Sequence, residues 1–543
     1  MKAYKNLLIS AGIAATLLSS CDKNFDEINT DPNRPEMVET TGLLTYVQRT
    51  MAYSCTNETL KGTMAQYWTQ INYPSIESYS SGIITGTSTY GYFNERYQIM
   101  ERANKIIELV ESDASTSAYG STILQVASAK ILKYVLILQN VETFGDVPYT
   151  QANNYMEYLK PAYDTQDFIF RDIMENLKQI NSDLTGVTSG WTSGDVMFGG
   201  SPEKWRRFAN SLRLCIAIRL SNYDPEFSQT EAAAAIADGV MESNDDNATV
   251  YFEGIGSPNE HSLYAANYDR FDRSMTWQFV NILKGDDDKA MGFENPYKGI
   301  IDPRSYQYLL TETEAITASE DDIEALEGFP YGVTSAEANV IWNQLILEGS
   351  NIKLKVTQNV SDGDLIKVFQ PDFWASFMDY TNVALLVCEH NNFDTSWFEK
   401  GIRASMEMWG VPAILTEDYI AKVLDKFESA DEQTKLNMVI TQKYVHNFAH
   451  FETESFSEYI RTGYPESLVH NNDQTGRTYI LDGDSEGTTY NFYTYDGLDA
   501  FLERCPYPST EDQYNRENLL NAIKNMGGDT RDIPLIWSKN YQK

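Results

Sequence analysis

The chain has 543 residues, of which 42% are hydrophobic and 13% aromatic, and its formal net charge at pH 7 is -36. This apolar and aromatic content is enough for a large folded core and argues against disorder despite the high charge. A surface with such an excess of carboxylates repels nucleic acid and anionic lipid, so neither is an expected partner.

The start of the chain has the features of a bacterial lipoprotein signal. Lys2 and Lys5 precede an apolar run over residues 7–18, which is too short to cross a bilayer as a helix. Cys21 follows a Leu-Ser-Ser sequence and so resembles the cysteine of a lipobox, which is acylated and becomes the first residue of the mature chain. We therefore predict lipidation of Cys21 and membrane attachment through lipid alone. A plain signal peptide with Cys21 unmodified is the alternative.

Hydrophobic periodicity predicts helices along most of the chain. Apolar residues recur at three- and four-residue steps, the spacing of one buried helix face. Residues 121–142 are apolar on nearly every face and end at a Phe-Gly-Asp-Val-Pro sequence, so we predict a central buried helix there. The helices predicted in chain order cover residues 40–73, 95–110, 121–142, 165–184, 203–222, 231–241, 383–390, 397–409, 416–427, 432–451 and 453–461.

Two stretches interrupt the helical pattern. Residues 72–91 are rich in Ser, Thr, Gly and Tyr and contain Pro74, which predicts a loop. Between residues 248 and 379 the helical period weakens. Long irregular segments are uncommon in compact domains unless they have a function, so both stretches are predicted places for a binding site. From residue 472 onward the chain is turn-rich and should pack across the helical body.

The alternation of helix, short break and helix predicts an all-α fold, in which helix pairs stack into a tetratricopeptide-like scaffold and a long loop-rich segment forms the binding face. No strict consensus of the roughly 34-residue repeat is visible, so this prediction depends on the helix pairing. The predicted organisation is a signal peptide (1–20), a lipidated tether (21–39) and one helical domain (40–543), with the scaffold mainly in 40–247 and 383–462 and the loop-rich binding segment in 248–379.

The remaining cysteines are isolated in the sequence, and no Cys-x-x-Cys motif occurs. They are Cys55, Cys215, Cys388 and Cys505. This wide spacing gives no disulfide framework, so we expect mostly buried free thiols, with two disulfides as the alternative in an exported protein.

Two patterns are similar to metal sites but lack a required residue. His446 and His450 have the spacing of the two zinc ligands of peptidases, yet position 447 carries Asn instead of the catalytic Glu, so we interpret them as ordinary helix-surface histidines. Residues 482–487 imitate the first half of a calcium loop, but Tyr493 stands where the bidentate Glu belongs. The acidic run over residues 285–288 is typical of a solvated turn. No cofactor is predicted, and calcium stays open without assigned ligands.

No catalytic motif is present. The sequence has no Gly-x-Ser-x-Gly elbow and no barrel-like alternation of strands and helices. The 78 acidic residues offer many pairs for glycoside hydrolysis, but their separation in space is not written in the sequence. We therefore predict a binding protein and not an enzyme.

Sugars are bound by aromatic rings that stack on their C–H faces and by polar groups that bond the hydroxyls. Two loop stretches combine such residues and are predicted to form neighbouring walls of one shallow groove. The predicted ligand-binding residues are Trp68, Asn72, Tyr73 and Tyr79 in the first stretch and Tyr268, Asp269, Arg273 and Trp277 in the second. Core or loop packing is the alternative for each of them. Trp205, Trp397 and Trp409 lie on regular helices and are assigned to the core.

A series of short motifs runs in order from residue 21 to about residue 520. After Cys21 these are Asn-Phe-Asp-Glu-Ile-Asn-Thr-Asp-Pro-Asn (24–33), Phe-Gly-Asp-Val-Pro-Tyr (144–149), Tyr-Asp-Thr-Gln (163–166), Lys-Trp-Arg-Arg-Phe-Ala-Asn-Ser-Leu-Arg (204–213), Asp-Pro-Arg (302–304), Thr-Gln-Lys (441–443), Arg-Thr-Gly-Tyr-Pro (461–465) and Arg-Cys-Pro-Tyr-Pro (504–508) with Glu511 and Asn515. Together they resemble the SusD/RagB family of surface glycan-binding lipoproteins.

The resemblance implies an all-helical, tetratricopeptide-like protein that sits as a lid on a SusC-like TonB-dependent transporter of the outer membrane. It implies a lipid-anchored, cell-surface location and a non-catalytic function, the capture of oligosaccharide for import. Peptide or protein capture, as in RagB-like relatives, is the alternative, for which the acidic surface would favour basic peptides. Only Cys21 carries over with a defined role, because the sugar-contacting aromatic residues differ between family members.

Overall fold

The protein is mostly helical. The structure, a computed structural model, describes residues 39–57, 59–70, 77–79, 87–267, 273–287, 292–310, 312–347, 366–480 and 486–542. The α-helices in these ranges are α1 (Thr40–Asn57), α2 (Thr59–Met64), α3 (Thr87–Ser112), α4 (Thr122–Phe144), α5 (Gln166–Leu184), α6 (Pro202–Arg219), α7 (Pro225–Asp238), α8 (Ser262–Asn267), α9 (Trp277–Lys284), α10 (Ser305–Leu309), α11 (Glu312–Thr317), α12 (Glu320–Glu324), α13 (Ser335–Leu347), α14 (Tyr380–His390), α15 (Thr395–Trp409), α16 (Ala413–Ser429), α17 (Glu432–His446), α18 (Glu452–Thr462), α19 (Ser509–Tyr514) and α20 (Arg516–Met526).

Helices that follow one another in the sequence pack together as pairs. The clearest pairs are α3 with α4, α6 with α7, and α14 with α15. Further contacts of α1 with α3, of α5 with α6 and of α14 with α17 join the pairs into one scaffold. The predicted all-α, tetratricopeptide-like architecture is therefore confirmed.

Helix α4 is the central buried helix that the sequence predicts. The Ser121 side chain accepts a hydrogen bond from the backbone of Leu124 at 3.4 Å, and the helix ends at Gly145, whose φ of 93° disfavours any residue with a side chain. Within the described residues, it is the one helix long and apolar enough to cross a membrane, and 72% of its most apolar stretch is buried inside the protein.

Short strands connect parts of the chain that are far apart in the sequence. They are β1 (Trp68–Gln70), β2 (Val147–Pro148), β3 (Tyr163–Asp164), β4 (Ala248–Tyr251), β5 (Arg273–Met275), β6 (Trp374–Met378), β7 (Gln474–Tyr479) and β8 (Thr488–Asn491). In the described part of the chain they form four antiparallel pairs, β1 with β5, β2 with β3, β4 with β6, and β7 with β8. Because β4 and β6 are partners, the loop-rich segment leaves the scaffold and returns to it at one small sheet.

Several element boundaries differ from those predicted. In place of the predicted helix over residues 40–73, the structure has α1, α2 and then strand β1, whose backbone pairs with β5, and residues 58 and 71–73 lie outside the described residues. Helix α3 begins at Thr87, inside the predicted loop. Helix α7 begins earlier than predicted because Asp224 caps it and Pro225 occupies its first position. The tail contains β7, β8, α19 and α20 in addition to turns.

His446 and His450 are buried, with relative exposures of 0% and 3%, so their predicted position on a helix surface is wrong. Helix α17 is covered by α14, α15 and α18, which leaves its last turn no face towards solvent. As predicted, Cys55, Cys215, Cys388 and Cys505 are not joined in disulfides. Cys388 and Cys505 are buried, as expected, whereas Cys55 and Cys215 are half-buried.

A cluster of ionised side chains lies in the core where α4, α6, α14, α17 and α18 meet. Its members are Glu142, Arg219, Glu389, Lys443, Glu454, Glu458 and Arg461. The Arg219 guanidinium is 1% exposed and lies 2.6 Å from a carboxylate oxygen of Glu454 and 2.6 Å from one of Glu458. Such pairs hold the helices in register, because each charge needs the others to stay buried.

Candidate functional site

The two stretches predicted to form neighbouring walls are adjacent in the structure. Strand β1 pairs with β5 so that Trp68 lies opposite Met275 and Gln70 opposite Arg273. The two stretches are therefore in contact at residues 68–70 and 273–275. The groove between them stays a prediction, because residues 71–76 and 268–272 lie outside the described residues.

Trp277 is held in place by backbone contacts on both sides. Its backbone N–H donates to the Phe329 carbonyl at 2.8 Å. The preceding residue, Thr276, donates from its backbone to the Tyr67 carbonyl at 3.1 Å, and its side chain accepts from Phe279 as the N-cap of α9. The half-buried Trp277 ring therefore projects from a helix start that is fixed against β1.

Trp277 lines a polar pocket of about 630 Å³, called the Trp277 pocket below. The other lining residues are Asn281, Lys284, Gly285, Asp286, Asp287, Lys298, Gly299, Glu324, Ala325 and Glu327. They come from α9 and the turn after it, from the segment before α10, and from the end of α12. The volume is that of a typical small-molecule site, and one aromatic ring with several polar side chains is the composition that binds sugars.

Most of the charged groups in the Trp277 pocket are paired. Lys284 lies 3.1 Å from a carboxylate oxygen of Asp286, and Lys298 pairs with Asp287. Glu327 accepts from Arg477 at 3.0 Å. Because these charges compensate one another, the pocket offers hydrogen-bonding groups for a neutral polar ligand.

Gly285 forms the turn that exposes the acidic run. It caps the end of α9 in the left-handed conformation, with φ of 71°. A Cβ atom there would lie 2.6 Å from the Ile300 carbonyl oxygen, so only glycine fits. Asp288 and residues 482–485 of the calcium-like segment lie outside the described residues.

Trp68 and Tyr79 are core residues in the structure, each 2% exposed. The Trp68 indole donates to Glu452 at 2.6 Å and packs against Phe448 at a centroid distance of 4.9 Å. Tyr79 packs edge-on against Phe492, with centroids 5.9 Å apart. This burial corrects their predicted placement on an exposed loop, because neither ring presents a face to a ligand here.

The other predicted site residues have different outcomes. Arg273 is half-buried on β5 and does not line the Trp277 pocket. The residues Cys21, Asn72, Tyr73, Tyr268 and Asp269 lie outside the described residues and stay predictions.

The three tryptophans that the sequence assigns to the core differ in burial. Trp205 and Trp409 are fully buried, as predicted. Trp397 is half-buried, with the Lys400 ammonium 3.9 Å above its ring, and so lies at the edge of the core.

A second aromatic surface was not predicted. Tyr46 and Tyr53 on α1 are 51% and 46% exposed and line a pocket of about 320 Å³. The other lining residues are Arg49, Thr50, Val250, Phe252, Pro258 and Asn259. The signal was available, because the two tyrosines are seven residues apart, on the face of α1 opposite its buried Leu44 and Val47.

Glu77 connects β1 to the chain that supports Trp277. Its carboxyl accepts from the Thr69 hydroxyl at 3.0 Å and from the backbone N–H groups of Gln70 and Gly332. Burial raises the pKa of the Glu77 carboxyl from 4.5 to about 8. The folded protein therefore keeps a proton that the unfolded chain releases, and the free energy of unfolding should fall as the pH rises through this window.

Glu77→Gln tests this pH dependence, because glutamine has no proton to release. Between about pH 5 and about pH 8 we expect the wild type to lose on the order of 1–3 kcal/mol of stability relative to the variant. Urea unfolding at a series of pH values measures the difference. If the free energy of unfolding depended on pH in the same way in the two proteins, the assignment of a protonated Glu77 would be contradicted.

The comparisons with known proteins agree with this architecture. The model of the SusD-like family described as "Starch-binding associating with outer membrane" matches residues 32–479. No curated protein matches the sequence. Among solved structures, a chitin-binding protein is 20% identical over 92% of this chain and 100% of its own, with a TM-score of 0.65. A SusD homologue from Bacteroides fragilis is 18% identical over 92% of this chain and 100% of its own, with a TM-score of 0.67.

A third similar structure is a chitin-binding SusD homologue from Flavobacterium johnsoniae, 18% identical over 93% of this chain and 99% of its own, with a TM-score of 0.64. At these identities the structural likeness shows the fold. The family match covers most of the sequence and agrees with the motifs found along it. The chain therefore belongs to the SusD-like family.

Proposed function

We propose that this protein is a non-catalytic, carbohydrate-binding lipoprotein of the outer membrane, which captures oligosaccharide in the Trp277 pocket. The observation that carries the proposal is a half-buried indole, fixed at a helix start, in a polar pocket of about 630 Å³. The family description and two chitin-binding structural neighbours support carbohydrate as the ligand class.

The charge pairing in the pocket supports binding over catalysis. Glycoside hydrolysis needs one carboxyl group as general acid and a second as nucleophile or base. Asp286 and Asp287 are paired with lysines, and Glu327 is paired with Arg477. Each of these three carboxylates has a cationic partner in place, an arrangement that suits accepting hydrogen bonds from sugar hydroxyls better than proton transfer.

The proposed partner is a SusC-like TonB-dependent transporter, on which this protein would act as a lid facing the cell exterior. Support comes from the family's association with the outer membrane and from the lipobox-like sequence before Cys21. Capture by the lipoprotein would then concentrate oligosaccharide at the mouth of the transporter.

The lipid anchor gives a direct prediction. Cys21→Ala should leave a folded protein that detergent-free washing releases from membranes, because several acyl chains hold a domain at a bilayer nearly irreversibly and nothing else is proposed to do so. Membrane fractionation with immunoblotting measures retention, and circular dichroism checks folding. A variant that stays in the membrane fraction would contradict the anchor assignment.

A ligand screen tests the proposed function. The full chain, purified in detergent, is tested for binding to neutral polysaccharides, including chitin and starch, and to basic and neutral peptides. We expect saturable binding to at least one polysaccharide and no increase in reducing ends on prolonged incubation. Binding to peptides alone would favour the peptide-capturing alternative, and release of reducing ends would identify an enzyme.

A further inference from the structure

Two histidines and an aspartate lie close together in the core, outside the Trp277 pocket. Asp379 precedes α14, His446 ends α17, and His450 lies in the turn after it. Their relative exposures are 0%, 0% and 3%, and one potential ligand atom of each lies within 4.8 Å of those of the other two. Such groups are rarely buried together unless something satisfies them.

The hydrogen bonds of His450 define which of its nitrogens is free. Nε2 lies 2.8 Å from the backbone carbonyl oxygen of His446, which can only accept, so Nε2 carries the proton. Nδ1 then has an unprotonated lone pair. It is buried and has no hydrogen-bond partner.

His446 has the complementary arrangement. Its Nδ1 lies 2.9 Å from the Ser405 hydroxyl oxygen, which also accepts from Arg304 at 2.7 Å and has a second lone pair for an Nδ1–H donor. Its Nε2 is buried and makes no hydrogen bond of acceptable geometry, although Oδ1 of Asp379 is only 3.2 Å away. His446 Nε2 therefore lies beside the Asp379 carboxylate, and a ring nitrogen of His450 lies within 4.8 Å of this pair.

We propose that His446 Nε2, His450 Nδ1 and an oxygen of Asp379 form a structural site for a divalent transition metal, with zinc as the best match. Two imidazole nitrogens and one carboxylate oxygen are a protein ligand set that zinc takes, and the fourth tetrahedral position would be filled by the second Asp379 oxygen or by a water molecule. Ligands held about 2.0 Å from a tetrahedral ion lie about 3.3 Å apart, close to the 3.2 Å between His446 and Asp379. The third ligand would come from His450, which has a ring nitrogen within 4.8 Å of the ligand atoms of the other two residues.

The surroundings are those of a supported metal site. A metal-binding imidazole usually donates its other N–H to a carbonyl or another oxygen, as His450 does to the His446 carbonyl. The Ser405 hydroxyl oxygen, 2.9 Å from His446 Nδ1, is placed to accept in the same way. Asp379 is oriented by the Asn382 amide, which donates to both carboxylate oxygens at 3.0 and 3.1 Å. The site has no catalytic role, because it is closed to solvent and no Glu occupies position 447.

A metal there would fasten the start of α14 to the end of α17. Since it would bind the folded state and not the unfolded chain, it should raise the thermal midpoint. Because the ligands are sealed in the core, we expect the ion to enter during folding and to exchange slowly with chelators. The inference is independent of the proposed function, which concerns a different part of the molecule.

The test uses the full chain, purified in detergent after expression in zinc-supplemented medium. Metal content by mass spectrometry should be about one zinc per chain. Removal of the ion by unfolding in chelator, followed by refolding, should lower the thermal midpoint by several degrees, and refolding with Zn²⁺ should restore it. Refolding with Co²⁺ should give the visible absorption of a low-symmetry site.

His450→Gln should lose the bound zinc. His261→Gln is the matched control, because His261 is also buried at 0% exposure and both of its ring nitrogens lack hydrogen-bond partners, yet it lies between Phe252 and Phe373. If His450→Gln fails to fold, the proposal is tested by the metal content of the wild type and by its thermal midpoints after refolding with and without Zn²⁺. Wild-type protein with under about one-tenth of an equivalent of metal and no response to Zn²⁺ or Co²⁺ would overturn the proposal. Full zinc retention in His450→Gln would overturn it as well.

Discussion

Arg219→Met should lower the free energy of unfolding by about 3–5 kcal/mol, because it removes one charge from a buried, hydrogen-bonded ion cluster. Arg219 lies 2.6 Å from Glu454 and 2.6 Å from Glu458. Without it, these two buried carboxylates share Lys443 and Arg461 as their remaining cationic partners. Methionine fills much of the space of the arginine stem, so the loss reports chiefly on charge.

The same cluster makes stability depend on pH. Burial alone would raise the pKa of Glu458, but Arg461, Lys443 and Arg219 outweigh it and hold that pKa well below its usual range. The stabilisation is therefore present near neutral pH and is lost as the pH falls through the depressed pKa.

Arg403→Met is the matched control for Arg219→Met. Arg403 pairs with Glu399 and Glu417, but its side chain is 40% exposed and solvent screens the attraction. Urea unfolding should show a large loss for Arg219→Met and little change for Arg403→Met. Equal midpoints for the two variants would mean that the buried cluster does not hold the helices together.

Trp205→Ala should cost about 3–5 kcal/mol of stability, because it empties a large volume in a close-packed core. The Trp205 ring is fully buried between Phe198 and Phe208. Its indole also donates to Asp195 at 2.8 Å, and Asp195 holds the turn before α6 by accepting from the backbone N–H groups of Phe198 at 3.1 Å and Gly200 at 2.9 Å. The substitution therefore creates a cavity and removes one of the donors to a buried carboxylate.

Trp397→Ala is the matched control, because Trp397 is half-buried at the edge of α15. Removing the Trp397 ring disturbs less of the core, so Trp397→Ala should lower the free energy of unfolding clearly less than Trp205→Ala does. Denaturant midpoints of the two variants, measured with circular dichroism, check the difference. A smaller loss for Trp205→Ala than for Trp397→Ala would contradict the assignment of Trp205 to the centre of the core.

The long helices could be predicted from the sequence because their signals are local. The apolar surface of α4, its Ser121 cap and the Gly145 break act within a few residues of one another. Strands β1 and β5 gave no such signal. Each is three residues long and exists because the other, roughly 200 residues away in the chain, supplies its hydrogen bonds.

The candidate site was predictable in kind but not in detail. Trp68 and Trp277 have similar sequence surroundings, yet the first is covered by Phe448 in the turn after α17 and by Glu452 at the start of α18, and the second lines a pocket. Lys298 and Glu324 reach the same pocket from segments without a distinctive pattern. Tertiary packing determines which aromatic ring stays accessible, and this packing cannot be inferred from the local pattern of a single sequence.

The most direct test of the account is the affinity of Trp277→Ala for the oligosaccharide that the screen identifies. Isothermal titration calorimetry compares it with the wild type and with Trp397→Ala, which removes an indole outside the pocket. Loss of one stacking ring should weaken binding about ten- to hundredfold, or about 1–3 kcal/mol, with little change in the thermal midpoint. An affinity of Trp277→Ala equal to that of the wild type would contradict the assignment of the Trp277 pocket as the carbohydrate site.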